Sequence, residues 1–289
     1  MRFPPTVLAA PLPCVMGIVN VTPDSFSDGG LYDETDAAVA RGLELVAEGA
    51  VIIDVGGEST RPGSDPVPAE VELARVVPVI ERLAAETTAV LSVDTTKAAV
   101  AEAALDAGAT LVNDVSALRT DPAMAPLVAE RGCPVCLMHM LGEPKTMQVD
   151  PVYRDVVGEV CAFLEKRLAA ALAAGLREEQ VLLDPGIGFG KTLRHNLLLL
   201  RDLDRVVALG RPVVLGTSRK RFIGALLDAG PEGRAVGTAA TTVLGVAKGA
   251  AVVRVHDVRP NVEALQVAQA ILGAGDDDHD DTGLAEEVH

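Results

Sequence analysis

Eight short runs of β-branched and aliphatic residues recur along the chain, and each gives way to an amphipathic, alanine-rich stretch. The runs are VMGIVNV (15–21), AVIIDVGG (50–57), AVLSVDT (89–95), TLVNDVSA (110–117), PVCLMHM (134–140), VLLDPGIGF (181–189), PVVLGTS (212–218) and AVVRVHDV (251–258). Helical patterns lie between them, among them 36–48, 69–85, 97–107, 153–174 and 234–248. A strand that reads as one continuous apolar run is buried on both faces, which means a parallel sheet covered by helices. EGA (48–50), AGA (107–109) and KGA (248–250) place a glycine at a helix end just before a strand, as C-cap chemistry requires. Eight β-then-α units in about 270 residues predict an α/β fold of the (β/α)8, or TIM-barrel, type. The alternative is an open, doubly wound sheet, but no G-x-G-x-x-G follows the first run. No linker interrupts the pattern, so residues 15–272 read as one domain, with a lead-in at 1–14 and a tail at 273–289.

The formal net charge is −16, and seven of the acids (Asp276, Asp277, Asp278, Asp280, Asp281, Glu286 and Glu287) crowd into that tail, which reads as a solvated, disordered end. An acidic body argues against nucleic acid as a partner, so any anion site has to be local. No apolar run is long enough to span a membrane, and the N-terminal residues make a poor signal peptide. The expected setting is a reducing cytoplasm. Cys133 and Cys136 form a CxxC that runs into a strand rather than opening a helix, and no second pair stands at zinc-ligand spacing. They read as small buried residues, like Cys14 and Cys161.

Barrel enzymes carry their chemistry at the C-terminal ends of the strands. Here every run ends in polar residues: Asn20, Asp54, Asp94, Asn113 with Asp114, His139, Asp184, Ser218 in GTSRK, and Arg254 with His256. Polar residues at all eight ends predict one shared mouth. Arg254 and His256 are two apart on a strand and face the same side. With Arg219 and Lys220 after the seventh strand they read as a phosphate or pyrophosphate cradle, where many barrels bind phosphate. Asp94, Asn113 and Asp184 read as a set able to accept the adjacent N–H groups of a flat, donor-rich heterocycle. DPGIGFGKT (184–192) is not a phosphate loop, because Pro185 stands where that pattern needs glycine. Its glycines let backbone approach a ligand, and Phe189 offers an apolar face. The aperiodic stretches 21–34 and 56–66 are rich in Ser, Thr, Asp, Gly and Pro and read as mobile binding loops or lids.

MGIVNVTPDSFSDGG followed by IIDVGGESTRPG resembles the paired signatures of the dihydropteroate synthase family. SVDT, VNDVS, LMHM with GEPKTMQ, DPGIGFGKT, GTSRKRFIG and RVHDV follow in that family's order. The resemblance covers residues 15 to about 272 and rests on the whole series. It implies a (β/α)8 enzyme that joins p-aminobenzoate to 6-hydroxymethyl-7,8-dihydropterin diphosphate, giving 7,8-dihydropteroate and pyrophosphate. It also implies Mg2+ on the diphosphate, competition by sulfonamides and a homodimer.

Carried over by motif, Asn20 corresponds to the Mg2+ contact. Asp94, Asn113, Asp184 and Lys220 correspond to the pterin pocket, with Met138 beside it. Thr60, Arg61, Arg254 and His256 correspond to residues near the diphosphate. Phe189 and Ser218, with Phe26 and Pro62 from the loops, correspond to the aminobenzoate side, and Asp28 to a loop acid that pairs with Arg61. Two other readings remain open: a related pterin-binding barrel of the methyltetrahydrofolate methyltransferase kind, and a non-catalytic paralogue.

Overall fold

The computed structural model describes residues 12–22, 31–60, 63–143 and 145–274, with no account of the side chains of residues 31–33. The chain alternates strand and helix: β1 Cys14–Asn20, α1 Leu31–Ala47, β2 Ile52–Gly56, α2 Ala69–Glu86, β3 Val90–Asp94, α3 Ala98–Asp106, β4 Leu111–Asp114, α4 Met124–Arg131, β5 Val135–Met138 and α5 Val156–Ala173. It continues as β6 Val181–Asp184, α6 Leu193–Arg201, α7 Asp204–Val207, β7 Val213–Gly216, α8 Arg221–Leu227, α9 Ala235–Ala247, β8 Ala250–Val255 and α10 Val258–Gly273. The eight strands pair in sequence order, all parallel, and β8 closes on β1. The fold is the (β/α)8 barrel that the alternation predicts.

Strand alternation sends every second residue inward. The inward set begins with an apolar layer that includes Met16, Ile52, Leu111, Cys136, Leu182 and Val214. One pleat further along the same strands, the inward positions become Asp54, Asn113, Met138 and Asp184. The lower barrel is therefore sealed by packing, and the upper layer is free to carry polar groups. The outward residues, such as Ile53, Val55, Val93, Val112, Leu183 and Val253, join the larger core beneath the helices.

Register brings the upper layer together. Ile18 lies beside Asp54, Gly56 beside Asp94, Asp94 beside Asn113, Met138 beside Asp184, and Gly216 beside Arg254. The four cysteines are free, and Cys14, Cys133 and Cys136 are buried. Burial pushes the Cys14 thiol up to about 12, which suits a packing role.

Several expected site residues and segments lie outside the described residues: Phe26, Asp28, Arg61, Pro62, the start of the lead-in and the acidic tail beyond Ala274.

Candidate active site

Asp54 is completely buried at the centre of the mouth. Its carboxylate accepts from Ser92 Oγ at 2.5 Å, Asn113 Nδ2 at 2.9 Å and Arg254 Nε at 2.6 Å. Arg254 also donates through Nη2 to Asp94 Oδ2 at 2.8 Å. One guanidinium thus ties β8 to β2 and β3 across the barrel. Burial pulls Arg254 down, but Asp54 and Asp94 outweigh that and hold it above its ordinary value. Burial lifts Asp94 to about 7; the Arg254 charge opposes the rise, and the neighbouring acids Asp54, Glu72 and Asp114 add to it.

Asp184 stands opposite, at the end of β6. Its Oδ1 accepts from the Gly186 N–H at 2.6 Å. Burial raises this carboxyl, while the Lys220 charge and the Gly186 hydrogen bond pull it back. Lys220 precedes α8, but its ammonium is turned into the barrel, where it donates to the Ile187 carbonyl. It also sits 4.7 Å from the centre of the Phe189 ring. Burial brings Lys220 down to about 8. Val115, Met138, Met140 and Met147 form an apolar wall against Phe189. Asp94, Asn113, Asp184, Met138 and Lys220 therefore gather at the same end of the barrel, bringing acceptors, one cation and soft apolar groups together. Such a set of groups suits a flat heterocycle with several N–H donors.

At the β7–β8 side, Ser218 Oγ accepts from the His256 backbone N–H at 3.0 Å and lies 3.0 Å from His256 Nδ1. Beside them a cleft of about 550 Å³ is lined by Ile18, Arg41, Glu48, Arg219, His256 and Asp257. Asn20 ends β1, and Thr60 follows β2, on the same rim.

Three sequence expectations change here. Arg219 lines the cleft with His256 as an already paired cation: it is tied to Asp257 through Nε at 2.9 Å and Nη2 at 2.5 Å, and to Glu232 at 3.3 Å. Asp114 does not face the mouth, because the residue after an inward position points outward. Its carboxylate caps the turn after β4, accepting from the backbone N–H groups of Ser116 and Leu118 at 2.7 and 2.8 Å. His139 turns outward for the same reason and packs edge-on against Phe163 at 4.8 Å. Burial drives its imidazole down to about 3, so it is neutral.

Asp54 stands out in sequence only as a strand end, with no motif that marks it as a binding residue. Strand alternation turns Asp54 inward, above Ile52, where it meets Ser92, Asn113 and Arg254. Lys191 carries no such mark either, yet it is buried and bonded to His139 Nδ1 at 2.9 Å.

The chain matches the model of the pterin binding enzyme family over residues 16–256. It is 52% identical to the dihydropteroate synthase of Mycobacterium leprae, with 90% of this chain and 94% of that protein covered. The structure of Xanthomonas albilineans dihydropteroate synthase with 4-aminobenzoic acid superposes with a TM-score of 0.85 at 52% identity, covering 90% of this chain and 93% of that one. The Yersinia pestis dihydropteroate synthase in complex with a sulfonamide drug gives 0.86 at 45% identity, covering 91% and 95%.

Proposed function

Since the chain belongs to the pterin-binding enzyme family, as one of its dihydropteroate synthases, we propose a division of its mouth into three subsites served by named residues. The reaction joins 6-hydroxymethyl-7,8-dihydropterin diphosphate to p-aminobenzoate and releases pyrophosphate. In the first subsite Asp94, Asn113 and Asp184 accept the N–H groups of the pterin, with Met138 against its face. In the second, His256, Arg254, Thr60 and Arg61 receive the diphosphate. In the third, Phe189 and Ser218, with Phe26 and Pro62, receive the arylamine, and a sulfonamide would compete there. The carrying observation is the buried Asp54–Arg254–Asp94 cluster facing Asp184 and Lys220 at one end of the barrel, a set of costly charged groups that packing alone does not call for.

The chemistry is displacement at the pterin methylene carbon. Positive charge develops on the pterin as the diphosphate departs. Asp94 and Asp184 lie where they stabilise it, already fixed by Arg254 and by the Gly186 N–H. The arylamine nitrogen attacks that carbon, so no protein nucleophile is needed.

Mg2+ fits this mouth as a passenger of the diphosphate. Among the described residues no three His, Cys, Asp or Glu side chains gather at metal-binding distance. A hard cation here would take the Asn20 amide oxygen, substrate oxygens and water, a set Mg2+ accepts. When bound it neutralises leaving-group charge. Exposed apolar side chains on α8, α9 and α10, including Leu227, Val236, Leu244 and Ile271, support a homodimer through this face. No described helix is long and apolar enough to cross a membrane. The free cysteines support a cytoplasmic setting.

The test is pyrophosphate release by purified protein, with each component omitted in turn. Release is expected only with pterin diphosphate, p-aminobenzoate and Mg2+ together. Full release without the arylamine would overturn the three-subsite reading.

A further inference from the structure

The loop from β6 to α6 holds its backbone in an unusual way. Five successive carbonyls each accept from a side chain: Gly186 O from Lys191 Nζ at 2.8 Å, Ile187 O from Lys220, Gly188 O from Gln148 Nε2 at 2.5 Å, Phe189 O from Lys191 Nζ at 2.9 Å, and Gly190 O from the Tyr153 hydroxyl at 3.0 Å. The Gly188 N–H is taken by Asn196 Oδ1 at 2.7 Å. Loop carbonyls ordinarily turn to water. These are pinned from three directions, and the loop presses on the β5 loop so closely that a Cβ at Gly186 would meet His139 O at 1.8 Å.

Lys191 is the centre of this arrangement. It is 3% exposed, and no carboxylate among the described residues lies in ion-pair contact with it. Its donors go to Gly186 O, Phe189 O and His139 Nδ1, with His139 O at 3.4 Å. Burial pushes its amine well below the ordinary lysine value, the Asp184 charge opposing that fall and Lys220 adding to it, and a core would not keep so costly a group for packing alone. What it holds in place is the peptide of Phe189, whose ring stands under the Lys220 ammonium.

We propose that Lys191, with Gln148 and Tyr153, is a positioning residue for the second substrate: it fixes Phe189 and so preforms the arylamine wall without touching either substrate. This rests on the arylamine lying at Phe189 and Ser218. Of the pterin acceptors, Asp94 and Asn113 stand on β3 and β4, away from this loop, and Asp184 on β6 meets it through the Gly186 N–H and feels Lys191 less than it feels Lys220 or Arg254. Loosening the loop should therefore separate the two Michaelis constants.

The experiment is steady-state kinetics of Lys191→Met, Gln148→Leu, Tyr153→Phe and Phe189→Ala, with melting temperatures. If Lys191→Met leaves the loop in place a tenth of the time, the KM for p-aminobenzoate rises about tenfold. The KM for the pterin diphosphate is expected to stay within about twofold, and Gln148→Leu and Tyr153→Phe to move the arylamine KM the same way by smaller factors. Equal rises in both constants, or none in the arylamine constant, overturn the proposal. If Lys191→Met fails to fold, the two milder variants decide by the same criterion. Phe189→Ala separates the levels. An arylamine KM that moves there but not in the other three refutes positioning alone. One that moves in none refutes the placement of the arylamine at Phe189.

Discussion

Replacing Arg254 by methionine keeps the length of the side chain and removes the charge that ties β8 to Asp54 and Asp94. The effect on stability should depend on pH in a way set by Asp94. Its folded value, about 7, lies above that of an unfolded aspartate, near 3.9. Below that lower value the group costs nothing. Between the two the native state holds a proton that the unfolded chain releases, so stability falls as pH rises, and it levels off above about 7. Without Arg254 the folded value climbs further, and the fall continues where the wild-type curve is flat. Each pH unit beyond 7 then adds about 1.4 kcal/mol to the difference between the two proteins. Near pH 6 Asp94 is mostly protonated in both, and the remaining loss is the Asp54 hydrogen bond, about 1.5–3 kcal/mol for a charged pair. By pH 8 to 9 the total should reach about 3–5 kcal/mol, the usual cost of breaking a buried ion pair. The assay is urea unfolding of both proteins at several pH values with no ligand present. Adding Asp94→Asn to the variant should remove the extra slope above pH 7. A difference that does not change between pH 6 and pH 9 would refute this account of Asp94.

Asp184→Asn keeps the shape but turns a donor toward the ligand's N–H groups. Pterin affinity should fall by about 2–4 kcal/mol by calorimetry while folding is retained, and an unchanged affinity would remove Asp184 from the pocket. Binding of a phosphate-free pterin should follow a bell in pH, rising as Asp94 loses its proton near about 7 and falling as Lys220 loses its own near about 8; a flat profile would show that neither charge matters to binding. A sulfonamide should bind weakly alone and tightly with Mg2+-pyrophosphate. The factor is about 100 if the complete site is formed about 1% of the time without it, and equal affinities would mean that the whole second site, and not its Phe189 wall alone, is preformed.

Much of the barrel was legible because parallel strands covered on both faces must be apolar throughout, and that pattern survives in sequence. The ends were less so. The sixth run was read through residue 189, but β6 stops at Asp184, where Pro185 and positive-φ glycines at 186, 188 and 190 end the extended chain. The fourth was read through 117, but Asp114 caps the turn that ends β4. Asp94, Asn113 and Asp184 are visible in sequence as polar residues at the ends of apolar runs. The Asp54–Arg254 pair is not, because it joins strands that meet only when the barrel closes, 200 positions apart. Lys191 was hidden for another reason: in sequence a lysine before a helix looks solvated, and only the folded loops show four acceptors around it.

The two layers inside the barrel have a consequence for how this scaffold changes over time. Packing below the mouth, at Met16, Ile52, Leu111 and Leu182, makes no use of the charges above it. Those charges oppose folding. An Asp94 held near about 7 and a Lys220 held near about 8 are both kept from their preferred states by burial. Swapping the upper residues for apolar ones of similar volume should give a tougher and inert barrel. Substrate recognition is then a strain that selection maintains, and a descendant released from turnover would be expected to drift toward an oilier mouth and a higher melting point. The same separation leaves the upper layer open to other ligands, since new side chains there would not disturb the seal beneath.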